Sequence, residues 1–172
     1  DLSVGAILGL NGVIMAKLIV EAGWGIFPAI VVALAAGVVF GIVNAFIISA
    51  LDIPPFIVTL ATQSLFRGTI YIVTEMAPVS GLPQSFINIG QGRIGAVPIQ
   101  VIIMVVIIIL SYIIAYYSAF GRYVIAMGGN AMATSVCGIN TKRIRMGVYI
   151  YTSVCATIAG IITTARSASA QV

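Results

Sequence analysis

The chain alternates between long apolar runs and shorter polar breaks. Five runs are close to the length of about 20 apolar residues that crosses a bilayer, and they cover residues 2–20, 26–51, 55–74, 99–117 and 146–165. A backbone inside lipid must satisfy its own hydrogen bonds, so each run is predicted to be a helix, including the β-branched run at 101–110. The pattern predicts an all-α, polytopic transmembrane helical bundle with about five spans.

The polar breaks differ in length. Residues 52–54 are predicted to form a tight turn, because the prolines at 54 and 55 disfavour helix before them and favour a helix start after them. Residues 75–98 are too long for a plain connection and predict a structured cap with a short amphipathic piece at 82–87. Residues 121–145 form a second excursion, in which Gly128, Gly129 and Asn130 predict a turn that caps a short helix.

The composition excludes an ordinary soluble domain. Hydrophobic residues make up 61% of the chain, charged residues 7%, and the mean hydropathy is +1.20, whereas a soluble domain has about 25% charged residues. No soluble scaffold with a basic face is visible, so nucleic-acid binding is not predicted. Residues 1–172 are predicted to form a single transmembrane domain, truncated at both ends because Asp1 is not an initiator methionine and residue 172 closely follows a span.

The placement of the charges predicts an orientation. Four of the eight basic residues lie in the 121–145 excursion, which contains no acid: Arg122, Lys142, Arg143 and Arg145. Basic loops remain on the cytoplasmic side of membranes. We therefore expect residues 121–145 to be cytoplasmic and the loop at 75–98 to be extracytoplasmic.

The sequence lacks the residues of an enzyme or an ion-driven carrier. It contains no histidine, and the four acids stand singly at the ends of predicted spans, so no paired acid and base is present. A proton-coupled carrier would need an ionisable relay inside the membrane. Neither a phosphate-binding loop nor a metal-ligand cluster appears, and we predict no enzymatic activity, no cofactor and no metal site in this chain.

Polar side chains within the spans give the candidate pathway. The third run carries Thr59, Thr62, Gln63 and Arg67 at helical spacings that place them on one face, and Asn44 lies within the second run. One interpretation is that these five residues line a pathway. The alternative is that they form hydrogen bonds between helices, with Arg67 extending to an interface. The spacing of Gly37 and Gly41 predicts close helix packing and nothing more.

Several motifs resemble the permease subunits of ribose/xylose-type ATP-binding-cassette importers. They occur in the family's order at residues 1–5 (DLSVG), 53–60 (IPPFIVTL), 78–83 (PVSGLP), 120–123 (FGRY), 126–130 (AMGGN) and 135–140 (SVCGIN). The resemblance covers nearly the whole chain. It implies a permease of the bacterial inner membrane that takes sugar from an extracytoplasmic solute-binding protein. It also implies a cytoplasmic ATPase subunit as the energy source and a second permease subunit, either a copy or a paralogue.

The resemblance also implies a coupling segment for the ATPase within residues 121–145. Its candidate residues are Gly129, Asn130, Ala131, Ala133, Thr134, Gly138 and Ile139. Ala131 and Met132 stand where family members often carry acidic residues. From the residues alone, a secondary transporter or a channel of unknown substrate remains the alternative, and the solute is open among pentoses, hexoses and furanose-like molecules.

Overall fold

The computed structural model describes residues 1–171 and consists mainly of helices. Val172, the last residue of the predicted domain, lies outside the described residues. The helices are α1 (Val4–Val20), α2 (Ile26–Ala50), α3 (Pro55–Thr74), α4 (Gln84–Gln91), α5 (Ile99–Tyr117), α6 (Ala119–Gly129), α7 (Ala131–Val136) and α8 (Thr141–Ser167). The strands have two residues each: β1 (Val79–Ser80), β2 (Arg93–Ile94), β3 (Val97–Pro98) and β4 (Ser169–Ala170).

The predicted all-α, polytopic architecture is confirmed. Helices α2, α3, α5 and α8 are long and apolar enough to cross a membrane. Helix α1 is also apolar but has only 17 residues, or about 25 Å at 1.5 Å per residue. The five helices correspond to the five apolar runs. The length and apolar composition of each run are enough to favour a helix in lipid, whichever helices lie beside it.

Helices α1, α2 and α8 form the centre of the bundle, and small residues bring their backbones together. A Cβ atom on Gly41 would lie 2.7 Å from Ile150 Cα, and one on Gly37 would meet Thr157 and Asn11. A Cβ on Gly160 would meet the backbone of Leu8 in the same way. The interpretation of Gly37 and Gly41 as packing positions is confirmed.

Polar contacts show the relative directions of the helices. Asn44 Nδ2 donates to Ser3 Oγ at 2.9 Å, and the Leu2 backbone N–H donates to Thr59 Oγ1 at 3.2 Å. These bonds join the start of α1 to the end of α2 and the start of α3. At the other end, Lys17 Nζ donates to the Val73 carbonyl at 3.0 Å. Helices α1 and α3 are therefore parallel to each other and antiparallel to α2.

One end of the bundle, which we call the basic end, carries the predicted excursion. It contains the starts of α1, α3 and α8, the end of α2, and helices α6 and α7. Helix α6 begins at Ala119 because Ser118 Oγ accepts from the Gly121 backbone N–H at 3.0 Å. Helix α8 begins at Thr141, five residues before the predicted span at 146, because Asn140 Oδ1 accepts from the Arg143 backbone N–H. Lys142, Arg143 and Arg145 consequently lie on the first two turns of α8.

The 75–98 loop folds against the opposite end. Strand β1 pairs antiparallel with β4, with Val79 opposite Ala170, and this ties the segment after α3 to the segment after α8. Helix α4 begins two residues after the start of the predicted piece at 82–87 and ends four residues after its end. It buries Phe86 completely, and the Gln91 side chain donates to the Arg166 carbonyl at 2.9 Å. The expectation of a structured cap is confirmed.

Candidate functional site

Asn44, a predicted pathway residue, lies inside the bundle. Its side chain is fully buried, and its amide donates to Ser3 Oγ, which in turn donates to Asp1 Oδ1 at 2.6 Å. This chain of bonds joins α2 to the residues that precede α1. The geometry favours the interpretation of Asn44 as a group that holds helices together.

The polar set on α3 separates into two parts. Thr59 and Thr62 are buried, and their hydroxyls donate to carbonyls of the same helix, those of Pro55 and Thr59. Gln63 is half-buried and Arg67 is exposed. The helical spacing is as predicted, but α1 and α2 cover only part of that face. Gln63 and Arg67 lie at its uncovered edge.

A polar groove runs along the uncovered side of α1. Its central depression, of about 270 Å³, has a floor of Gly5, Leu8 and Gly9 from α1. Its wall on α8 and the following segment is formed by hydroxyl and amide residues, namely Thr163, Thr164, Ser167, Ser169 and Gln171. A Cβ on Gly5 would have no neighbour within 4 Å. The surface beside Gly5 is therefore open.

A second depression extends the groove toward the outer end of the bundle, and a third lies separately at the basic end. An outer depression of about 350 Å³ shares Gln171 with the central one and is lined by Tyr71 and Thr74 of α3. A depression of about 410 Å³ at the basic end includes Val4, next to Gly5, together with Asp1, Arg145 and Thr152. The central and outer depressions together form the polar groove, whereas the depression at the basic end shares no lining residue with them.

The polar groove differs from the other exposed surfaces of the bundle. Within the described residues, every exposed position on α2 is apolar, and every exposed position on α5 is apolar or tyrosine. Apolar faces are compatible with lipid, whereas polar groups in the span region favour protein or a wet cavity. The groove is the side of these helices where a polar solute would find hydrogen-bonding partners.

Sequence reasoning missed the α1 and α8 sides of the groove. Thr163 and Ser167 are four residues apart on α8, as Gly5 and Gly9 are on α1. Both spacings place the pair on one helical face and could have marked the groove. Glycine carries no polar signal, however, and the predicted boundary at residue 165 separates Thr163, inside the fifth run, from Ser167, outside it.

The predicted coupling residues all lie in or beside α7. Asn130 caps this helix, since its Oδ1 accepts from the Ala133 backbone N–H at 2.9 Å. Thr134 is buried and donates to the Asn130 carbonyl at 2.8 Å, while Ile139 is half-buried. The other five positions are exposed: Gly129, Asn130, Ala131, Ala133 and Gly138. Gly138 has φ +81°, a left-handed conformation that suits glycine.

Two apolar side chains project from the same short helix. Met132 is 75% exposed and Val136 is 81% exposed. They are four residues apart and therefore share a face. Sequence reasoning did not select them, although the same spacing was the available signal. Together with the small residues around them, they form a compact apolar projection at the basic end.

Comparison with known proteins establishes the class. A protein-family model described as the permease component of the branched-chain amino acid transport system matches residues 1–172. The chain belongs to this family of membrane permeases. The prediction of a permease rather than an enzyme is confirmed at this level, as is a multi-pass membrane location.

The chain is similar to named sugar permeases of Escherichia coli K12. It is 31% identical to the D-allose transport system permease protein over 99% of this chain and 52% of the relative. It is 37% identical to the ribose import permease protein over 99% of this chain and 54% of the relative. It is 33% identical to the galactofuranose transporter permease protein over 96% of this chain and 48% of the relative.

The chain thus spans about half the length of the curated relatives that it matches. No solved structure gives a significant match to it. The resemblance to sugar-importer permeases, first seen in the sequence motifs, is confirmed by these relatives.

Proposed function

We propose that the chain is the translocating part of a permease subunit in an ATP-binding-cassette importer for a monosaccharide. The observation that carries the proposal is the polar groove beside α1, in a bundle whose exposed positions on α2 and α5 are apolar or tyrosine. Its central and outer depressions are lined by hydroxyl, amide and apolar groups without a carboxylate. This is a suitable surface for a neutral, polyhydroxylated solute.

The proposal includes an orientation in the bacterial inner membrane. The basic end carries Arg122, Lys142, Arg143 and Arg145 and is therefore the cytoplasmic end by the distribution of positive charge. Residues 121–145 face the cytoplasm, and the 75–98 cap faces outward. A solute-binding protein docks at the outer end, and a second permease subunit completes the pathway in the bilayer.

In this proposal α7 receives the ATPase subunit. Its projection is apolar and small rather than acidic, and Met132 and Val136 provide an apolar anchor pair for a groove in the partner. Buried apolar anchors contribute a large share of the free energy of association at protein interfaces. Thr134 and Ile139 seat the segment against the permease, so that movement of the ATPase would be passed to α8.

Retention of the ATPase subunit during purification tests this contact. Val136→Glu places a charge in the apolar anchor and should reduce the amount of co-purified ATPase at least tenfold. Met76→Glu is the matched control, because Met76 is 81% exposed at the opposite end of the bundle. Equal retention by both variants would exclude α7 as the docking segment.

The secondary transporter or channel left open by the residues alone is not favoured by the similarity to importer permeases. Those proteins are named as parts of transport or import systems.

A further inference from the structure

Arg67 is set apart from the other charged residues by its position in a helix. It lies in the interior of α3. Lys17 and Arg166 lie in the last turns of α1 and α8, and Lys142, Arg143 and Arg145 lie in the first two turns of α8. The remaining basic residues, Arg93 and Arg122, are outside the candidate spans. Among the described residues, Arg67 is therefore the one charge in the interior of a candidate span.

Arg67 is not paired within the described part of the chain. The one salt bridge in residues 1–171 joins Lys17 Nζ to Glu21 Oε1 at 2.7 Å. The Arg67 side chain is exposed rather than folded onto a carboxylate. A guanidinium remains charged at any physiological pH, and an intramembrane charge without a partner is costly in contact with lipid. Such a charge is stabilised by water or a polar ligand beside it, or by extension of the side chain to the membrane interface.

The face of α3 that carries Arg67 borders the polar groove. Tyr71, which lines the outer depression, follows Arg67 by four residues, and Ser64, which is exposed, precedes it by three. These spacings place the three residues on one face. The neighbouring Ile70 contacts the groove floor, since its Cδ1 lies 3.2 Å from the Cβ position of Gly9.

We propose that Arg67 contacts the solute in the polar groove and selects against cationic solutes. This inference rests on the proposed import function and adds the residue and the ligand chemistry. A guanidinium offers several N–H donors in a fixed plane and no acceptor, so it can donate to two adjacent hydroxyl oxygens of a sugar. The central and outer depressions contain no carboxylate to neutralise it. The preferred solutes are neutral polyols, and amino sugars are excluded by repulsion.

Charge replacement at this position tests the inference in the complete importer with its ATPase and binding protein. Cys137 and Cys155 are first replaced by alanine, and Arg67→Cys is then introduced. Sugar uptake should fall at least tenfold. A cationic thiosulfonate should restore much of the uptake, an anionic one should not, and saturating sugar should slow both reactions. Arg67→Lys, which retains the charge, should keep more uptake than Arg67→Gln.

Leu65→Cys is the matched control, because Leu65 is 63% exposed on a different face of the same helix. It should react slowly with both charged reagents. The inference is overturned if Arg67→Cys reacts no faster than Leu65→Cys, or if the two reagents change uptake equally. Failure of the parent transporter to import sugar with ATP would instead refute the proposed function. The reaction rates at Arg67→Cys would still report whether this face is wet.

Discussion

The close contact of α2 with α8 at Gly41 can be tested by adding a single methyl group. In Gly41→Ala the new Cβ would lie 2.7 Å from Ile150 Cα, 2.8 Å from the Tyr149 carbonyl oxygen and 2.9 Å from the Ile150 backbone N. All three neighbours are backbone atoms and cannot rotate away. Ordinary van der Waals contact begins at 3.4 Å, so the two helices must separate by about 0.7 Å, the difference between 3.4 and 2.7 Å.

Separation on this scale removes a quarter to a half of the dispersion energy of each affected contact. Overpacking of a well-packed interface costs about 1–3 kcal/mol. Replacing a helical glycine by alanine stabilises the folded state by about 0.5–1 kcal/mol, because alanine loses less backbone entropy on folding. Gly68→Ala supplies the control, because a Cβ at that helical position has no neighbour within 4 Å. Both variants gain the same entropy, and the difference between them isolates the packing cost.

The assay is thermal unfolding of the two variants in the same detergent. Since 1 kcal/mol corresponds to roughly 2–4 °C for chains of this size, Tm of Gly41→Ala should lie about 2–12 °C below that of Gly68→Ala. Gly68→Ala itself should equal or slightly exceed the parent protein. Equal Tm values for the two variants would refute the close approach of α2 and α8 at Gly41.

Two further predictions concern a buried bond and the orientation. Asn11 Nδ2 donates to Thr157 Oγ1 at 2.6 Å between α1 and α8. A double-mutant cycle with Asn11→Ala and Thr157→Val should therefore give a coupling free energy of about 0.6–1.7 kcal/mol in unfolding experiments. Strictly additive effects of the two substitutions would contradict this hydrogen bond. Cys137 is exposed at the basic end. In a Cys155→Ala background, a membrane-impermeant maleimide should label Cys137 in inside-out vesicles but not in intact spheroplasts. Labelling in intact spheroplasts would contradict the proposed orientation.

The helices and their close packing could be predicted from the sequence because they depend on local quantities. A run of apolar residues determines whether a segment prefers lipid, and glycines four residues apart permit close approach wherever another helix is present. Asn130 was recognised as a cap because a short polar side chain before a helix accepts from the next turn. None of these inferences required knowledge of which helix lies beside which.

The polar groove could not be predicted because it depends on helix neighbours. The spacing of Thr59 and Arg67 places them on broadly the same side of α3, but only the position of α1 decides that Thr59 is buried and Arg67 is not. The pairing of β1 with β4 joins segments about 90 residues apart in sequence, the separation of Val79 from Ala170. Strands of two residues leave too weak a pattern to be recognised in the sequence.

The chain is proposed to form the polar path of an ATP-driven sugar importer. The most direct measurement is uptake of labelled monosaccharides such as ribose, allose or galactose into proteoliposomes that contain the complete transporter, with binding protein outside and ATP inside. Uptake of at least one sugar against its gradient, lost on omission of ATP or of the binding protein, is the predicted result. Sugar uptake that continues unchanged without ATP and without the binding protein would contradict this role.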